Sequence, residues 1–286
     1  MNFFLFIFGA AVGSFLGVIS DRYREDLPIW DRKIIGGRSS CEMCGVKLRW
    51  FELIPVLSFI LQKGRCRSCK RRIGWRYFLI EITSGFLFVF IPASLEARYV
   101  LDYSVQGEKL YILPALWIFV FSVLLLVSFI DYRLKIIPDE ANVALVLSGI
   151  LITAFQPFGE LSGSFLGHYG MLFGWRLNPW LNHLFAAAIA CIFFASLILI
   201  TKGRGMGGGD MKLAAAMGFV FGWPDILLVA ILSFIIGSLF GLGAIILKKK
   251  NARSHIAFGP FLGASGLIVF FFGYEIIDFY LGLLMM

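Results

Sequence analysis

The sequence predicts an all-α, polytopic membrane protein of about eight transmembrane helices, with a small cytoplasmic zinc-ribbon-like insertion between helices 1 and 2. Three observations lead there. Hydrophobic residues make up 59% of the chain, charged residues 15%, and the mean hydropathy is +0.85, far from the range of soluble domains. Apolar runs recur along the whole chain on the scale of the roughly 20 residues a crossing helix needs. Four of the five cysteines fall in the one long polar stretch, as two C-x2-C pairs.

The runs occupy roughly 3–20, 78–95, 111–130, 140–156, 183–200, 211–222, 226–247 and 258–284. They divide the chain into a first helix (1–20), a four-cysteine domain (21–77) and a seven-helix membrane domain (78–286). The first run has no basic leader and is followed by many like it, so it is read as retained rather than as a cleaved signal. The sixth is short: 12 residues at about 1.5 Å each cover only about 18 Å of a core about 30 Å thick. Either that helix extends back through the glycines before it, or Asp210 at its start sits recessed below the membrane surface.

Charge gives the topology. Of the 26 Lys and Arg, 23 fall in 21–77, 131–140, 201–212 and 248–255, and only Arg98, Lys109 and Arg176 in the alternate loops. By the positive-inside rule the basic loops face the cytoplasm and both chain ends lie on the other side. The net charge of +8 is therefore a topology signal, and no nucleic-acid partner follows from it.

In chain order, Gly13, Ser14 and Gly17 in the first span favour close helix packing. Cys41, Cys44, Cys66 and Cys69 form C-x2-C, 21 residues, C-x2-C, a zinc-ribbon spacing in which each pair offers two thiolates to one tetrahedral ion. Four protein ligands leave no place for water, so the metal is structural. Redox CxxC motifs or a disulfide pair compete with this reading, and cytoplasmic placement argues against stable disulfides. Residues 50–59 are either the apolar core of that lobe or a segment on the bilayer surface. Glu81 lies about a turn inside the second span, where a carboxylate is costly unless functional or paired, with Arg76 the nearest base in sequence. Cys191 lies mid-span and reads as a small buried apolar residue.

Asp131 ends the third span and Asp210 begins the sixth, and both fall on the basic side. A negative charge is favoured at a helix start and disfavoured at a helix end, an asymmetry suited to a pair that holds one proton. Asp139 and Asn142 follow Pro138 and suit the first turn of the next helix. The run Gly205-Met206-Gly207-Gly208-Gly209-Asp210 removes side-chain bulk and permits positive φ, so another backbone can approach Asp210. Trp175 and Trp180 read as interfacial anchors. His168 and His183 fall on the outer side and His255 in an inner basic loop, so a His-based catalytic pair at the level of the aspartates is not expected.

These residues, taken in order, resemble the type IV prepilin peptidases, the leader peptidases of type IV pili and type II secretion. The resemblance is carried by Gly13-Ser14-Phe15-Leu16, both CxxC pairs, Ile54-Pro55-Val56-Leu57-Ser58, Arg76-Tyr77 with Glu81, Asp131 with Ile137-Pro138-Asp139, the GxGD element Gly207-Gly208-Gly209-Asp210 with Lys212, and Phe258-Gly259-Pro260-Phe261. Ile137, Glu52-Leu53 and Gly208 depart from the usual residues at their positions. The resemblance implies a multi-pass enzyme of the bacterial inner membrane whose catalytic pair is Asp131 and Asp210. It would cut the basic leader of a prepilin or pseudopilin after a glycine, at the cytoplasmic face. It also implies N-methylation of the new N-terminus with S-adenosylmethionine, an activity with which the family associates positions matching Glu81 and Gly85. Glu52, Asp139 and Glu140 are candidates for contacting the basic leader. The rival reading is a transporter whose intramembrane acids carry protons or cations, but no internal duplication of the transporter kind is visible. Oligomeric state is not legible.

Overall fold

The computed structural model describes residues 2–41, 43–99, 109–155, 178–203, 205–247 and 256–284. Trp175, His168, His255, the basic stretch 248–255 and most of the two outer loops lie outside the described residues. The chain forms two compact units, Met1–Val100 and Leu101–Met286.

The first unit is built on two long helices, α1 (Asn2–Arg22) and α4 (Trp75–Tyr99). They run antiparallel and touch through small residues. A Cβ on Gly13 would lie 2.6 Å from the Ile80 carbonyl oxygen, and one on Gly9 would meet the Phe88 side chain at 2.7 Å. The Ser84 hydroxyl donates to the Gly9 carbonyl at 2.7 Å. Small residues let the two backbones approach this closely without a hydrophobic driving force between them, as the sequence led us to expect for Gly13.

Between these helices lie α2 (Arg32–Ile35), a 3-10 turn at Trp50–Leu53 and α3 (Leu57–Leu61). The 50–59 segment does not form a core for the cysteine lobe. Trp50 is 78% exposed, and Leu53, Ile54, Leu57, Ile60 and Leu61 are exposed as well. Phe59 turns the other way, stacking on Phe78 at 4.9 Å and meeting Trp75 at 5.5 Å, which pins α3 to the first turn of α4.

The second unit contains α5 (Lys109–Leu134), α6 (Asp139–Phe155), α7 (Pro179–Ile200), α8 (Gly208–Phe221), α9 (Asp225–Ile246) and α10 (Gly259–Leu284). Among the described residues six helices, α1, α4, α5, α7, α9 and α10, are long and apolar enough to cross a membrane. The two remaining runs give shorter helices, 17 residues in α6 and 14 in α8. Helix α8 does extend back through Gly208 and Gly209, yet at about 1.5 Å per residue it reaches only about 21 Å.

That short helix is the centre of the second unit. Leu213, Ala214 and all of Ala216–Phe221 are buried. A Cβ on Gly218 would strike the Ala186 carbonyl of α7 at 2.7 Å, and one on Gly149 of α6 would strike the Phe219 ring at 2.8 Å. Phe221 joins Trp117, Phe121 and Phe270 in an aromatic core shared by α5, α8 and α10. At its far end α8 stops on Gly222 at φ +76°, a left-handed position that only glycine takes cheaply. There Asn182 of α7 accepts the Trp223 N–H (2.8 Å) and donates to the Trp223 carbonyl (2.9 Å). Buried His183 bonds the Phe219 carbonyl at 2.8 Å, a structural use.

Candidate functional site

Asp131 sits in the last turn of α5 and is 4% exposed. Its Oδ2 accepts the N–H of Gly259, the first residue of α10, at 2.8 Å. A Cβ on Gly259 would lie 2.8 Å from that same oxygen, so the contact requires glycine. The end of α5 disfavours a negative charge, but the start of α10, aimed at it, supports one. Gly259-Pro260 was legible as a helix start; its partner, 128 residues away, was not.

Asp210 is the third residue of α8 and is half-buried, and its Oδ2 accepts the Gly207 N–H at 3.1 Å. Asp131 and Asp210 lie within electrostatic reach of each other. The preceding glycines act through space and not through special backbone: Gly207 is extended at φ −86°, and none of Gly205, Gly207, Gly208 or Gly209 has positive φ. A Cβ on Gly208 would meet nothing within 4 Å, and one on Gly209 would press Ile137 at 3.3 Å. The permitted positive φ is not used: the helix begins two residues before Asp210, so Gly208 and Gly209 lie within it.

Lys212 does not address either aspartate. Its Nζ donates to both oxygens of Asp139, at 2.8 and 2.9 Å, tying α6 to α8. Asp139 begins α6 as expected, but its carboxylate is spent on this exposed ion pair.

In the first unit the four thiols converge. The Sγ atoms of Cys41, Cys44, Cys66 and Cys69 all lie within 4.8 Å of one another, and all four are free. A zinc tetrahedron with bonds of about 2.3 Å has sulfur–sulfur edges of about 3.8 Å, and Cys41 and Cys69 are 3.9 Å apart. Each pair occupies the same knuckle. Ser40 bridges Lys47 and Arg65 bridges Arg72. Cys41 donates to Val46 O and Cys66 to Arg71 O, while Gly45 and Lys70 donate back to Cys41 O and Cys66 O. Gly45 and Lys70, each following the second cysteine of its pair, both take positive φ, +70° and +59°. Backbone N–H groups of Met43 and Cys44 lower the Cys41 thiol to about 7, toward the thiolate a metal binds. The donor set fits zinc.

Glu81 is 8% exposed and accepts the Val56 N–H at 2.7 Å. The pairing considered with Arg76 does not form, because Arg76 binds Asp21 at 3.0 Å. Gly85 packs under Phe6 of α1, where a Cβ would come within 2.7 Å of the ring. Glu52 caps its own turn by accepting the Arg49 N–H at 2.8 Å.

Comparison with known proteins bears on both units. Residues 7–95 match the bacterial peptidase A24 N-terminal domain, and residues 118–242 match the type IV leader peptidase family. The chain is 33% identical over 97% of its length to a Bacillus subtilis (strain 168) protein named prepilin leader peptidase/N-methyltransferase, covering 96% of that protein. Proteins of the same name from Aeromonas salmonicida and Pseudomonas aeruginosa are 29% and 30% identical, over 97% and 96% of this chain and 92% and 91% of theirs. No solved structure matches. With relatives of this identity running almost end to end, the chain belongs to the type IV leader peptidase family.

Proposed function

We propose that this protein is a prepilin leader peptidase and N-methyltransferase in which Asp131 and Asp210 form the proteolytic pair. The observation that carries the reading is the pairing itself: a buried carboxylate at the end of α5, held by the Gly259 N–H, within the field of a second carboxylate at the start of α8. Two acids that approach closely enough can hold one proton between them. The ionised member takes a proton from water, the oxygen of that water attacks the scissile carbonyl, and the protonated member donates to the carbonyl oxygen. Collapse of the tetrahedral species breaks the C–N bond and returns a proton to the leaving amine. The open side of Gly208 leaves room for an extended leader segment beside Asp210.

The substrate is a prepilin or pseudopilin, its apolar helix held among the spans and its basic leader cut after a glycine on the cytoplasmic side. This orientation is supported by the concentration of Lys and Arg in the loops that flank both aspartates. Cys41, Cys44, Cys66 and Cys69 hold one structural zinc, which closes the lobe around its two knuckles. When bound, S-adenosylmethionine would supply the methyl group for the new pilin amine, and Glu81 and Gly85 are the positions the resemblance ties to that activity. Membership of a leader peptidase family displaces the transporter reading.

The test is cleavage of a prepilin by purified full-length protein in detergent. Asp131→Asn and Asp210→Asn are each expected to lower the rate by about 100-fold or more, the scale of positioned acid–base catalysis. Retention of cleavage within a few-fold in either variant removes the pair.

A further inference from the structure

Helix α3 faces the wrong way for a lobe surrounded by water. Leu57, Ile60 and Leu61, spaced i, i+3 and i+4, form one helical stripe, and all three are exposed, Leu61 at 72%. The opposite side carries Ser58, Phe59 and Gln62, which line a cavity of about 390 Å3 bounded by the ends of α1 and α4 and by the four-cysteine lobe. Leu53 and Ile54 extend the exposed apolar surface back to Trp50. Single apolar side chains on a surface are ordinary, but a run of them on one face marks a surface that something covers.

The orientation of α3 is fixed along its length. Before its first residue, the Val56 N–H donates to the buried Glu81 carboxylate of α4 at 2.7 Å. Val56 takes φ +63°, an outlier for a β-branched side chain that persists only where its surroundings hold it. In the middle, Phe59 packs on Phe78 and Trp75 of α4. Past the end, Lys63 and Gly64 also take positive φ, +50° and +63°, and a Cβ on Gly64 would press the Phe59 ring at 3.0 Å. Turning the leucines inward would break the Glu81 contact and withdraw Phe59 together.

We propose that the outer face of α3 and the turn at Trp50–Leu53 lies in the polar–apolar boundary of the bilayer where α4 enters it, with its basic rim on anionic phospholipid headgroups. Two observations favour lipid over a protein partner. The patch continues the outward stripe of a membrane span: Trp75, Leu79, Phe86 and Phe90 are exposed at spacings of four and seven along α4, α4 is long and apolar enough to cross a membrane, and Phe59 meets Trp75 at the head of that stripe. Trp50 and Trp75 then stand where amphipathic rings collect at membrane–water interfaces. Charge is the second observation. Exposed bases frame the apolar face, Arg49 before it and Lys63, Arg65 and Arg67 after it, while the acid between them, Glu52, is turned back onto the Arg49 N–H. Apolar side chains rimmed by Lys and Arg are what an anionic membrane surface attracts. The four-cysteine lobe thereby gains a membrane contact besides α1 and α4, an inference independent of the peptidase and methyltransferase readings.

The experiment is tryptophan fluorescence of the zinc-loaded full-length protein in nanodiscs whose phospholipids carry bromine either near the headgroup end or near the methyl end of the acyl chain. The emission of Trp50, obtained as the difference between wild type and Trp50→Phe, should be mostly lost with bromine near the headgroup and mostly kept with bromine at the chain end. Quenching should be stronger in equimolar phosphatidylcholine and phosphatidylglycerol than in phosphatidylcholine alone, and the combined Arg49→Gln, Lys63→Gln, Arg65→Gln and Arg67→Gln variant should erase that difference. Leu57→Gln, Ile60→Gln and Leu61→Gln together should reduce the quenching in every lipid, with about one zinc per chain reporting that the lobe is folded. Trp50 emission quenched by aqueous acrylamide and by neither brominated lipid would overturn the proposal. Emission shielded from both would overturn it too, and would put a protein surface or a second copy of the chain on the patch. Equal quenching with and without phosphatidylglycerol would overturn the headgroup contact of the basic rim.

Discussion

Both units bury a carboxylate and secure it in the same way, with one backbone N–H, but they differ in what else stands nearby. Glu81 takes the N–H of Val56 and faces a cavity whose other acids are engaged elsewhere, Asp21 with Arg76 and Glu52 with the Arg49 N–H. Asp131 takes the N–H of Gly259 and feels the charge of Asp210. A lone buried acid is a receptor for a cation, whereas two acids in reach of each other are a place to store and move a proton. On the proposed function the same local device would stand in the methyl-transfer unit and in the proteolytic pair, and the companion group would tell the two apart.

The strongest way to break this comparison is to exchange the losses. Asp131→Asn should lower leader cleavage by about 100-fold or more and leave the affinity for S-adenosylmethionine within about twofold. Glu81→Gln should do the reverse in kind, weakening methyl-donor binding while cleavage proceeds. Rates from gel-shift assays of prepilin and affinities from calorimetry on the same preparations check both. If either variant loses both functions in proportion, the units are not chemically separate.

Removal of the metal probes the first unit alone. Cys66 is buried and both Cys41 and Cys66 line the cavity that Glu81 faces, so Cys66→Ser should release the zinc and lower methyl transfer by about tenfold or more, since a wall built from metal ligands loses shape with the ion. Cleavage should fall by less than methyl transfer does. Elemental analysis of the wild type should find about one zinc per chain, as a four-thiolate site requires.

What could be read from the sequence, and what could not, follows from the range of the interactions. The two knuckles were legible because a C-x2-C turn is local and its two halves need only meet. The aspartates stood out because each interrupts the end of an apolar run, where the bilayer makes a charge conspicuous. Their supports were invisible for the opposite reason: Gly259 and Val56 act through backbone N–H groups, which every residue but proline carries. Glu81 illustrates the resulting limit. Its nearest base in sequence is Arg76, but an N–H from a turn 25 residues upstream reaches it. Run length already marks 211–222 as short, and α8, at 14 residues, stays short even with its glycines, while α6 has 17 residues like the run that predicts it.

Gly259 sharpens the comparison on the side of the paired acids. Alanine there would place a Cβ 2.8 Å from Asp131 Oδ2, so the carboxylate or the start of α10 must move. A displacement approaching 1 Å in a catalytic group costs on the order of 100-fold, and Gly259→Ala is expected to lower cleavage by about 10- to 100-fold. Donor binding should be untouched. An alanine variant of wild-type rate would mean that the α10 N–H is dispensable and that Asp131 is held by its helix alone.

The smallest effect is expected at the ion pair between Lys212 of α8 and Asp139 of α6. Its two side chains are 52% and 69% exposed, and exposed pairs contribute only about 0–1 kcal/mol. Lys212→Ala and Asp139→Ala should each lower the melting temperature slightly, and the double variant should lower it no further than the larger single one, because either change already removes the contact. Cleavage should drop by less than about threefold in all three if the pair serves only to tether the helices, since a part-exposed surface contact offers little more than positioning. A much larger loss in Lys212→Ala than in Asp139→Ala would instead put the ammonium in the chemistry, acting on substrate or on Asp210 once the helices admit a leader segment. Equal, small losses would leave the proton to the two aspartates, and α8 would owe its placement to the packing of Gly218 and Gly149 rather than to charge.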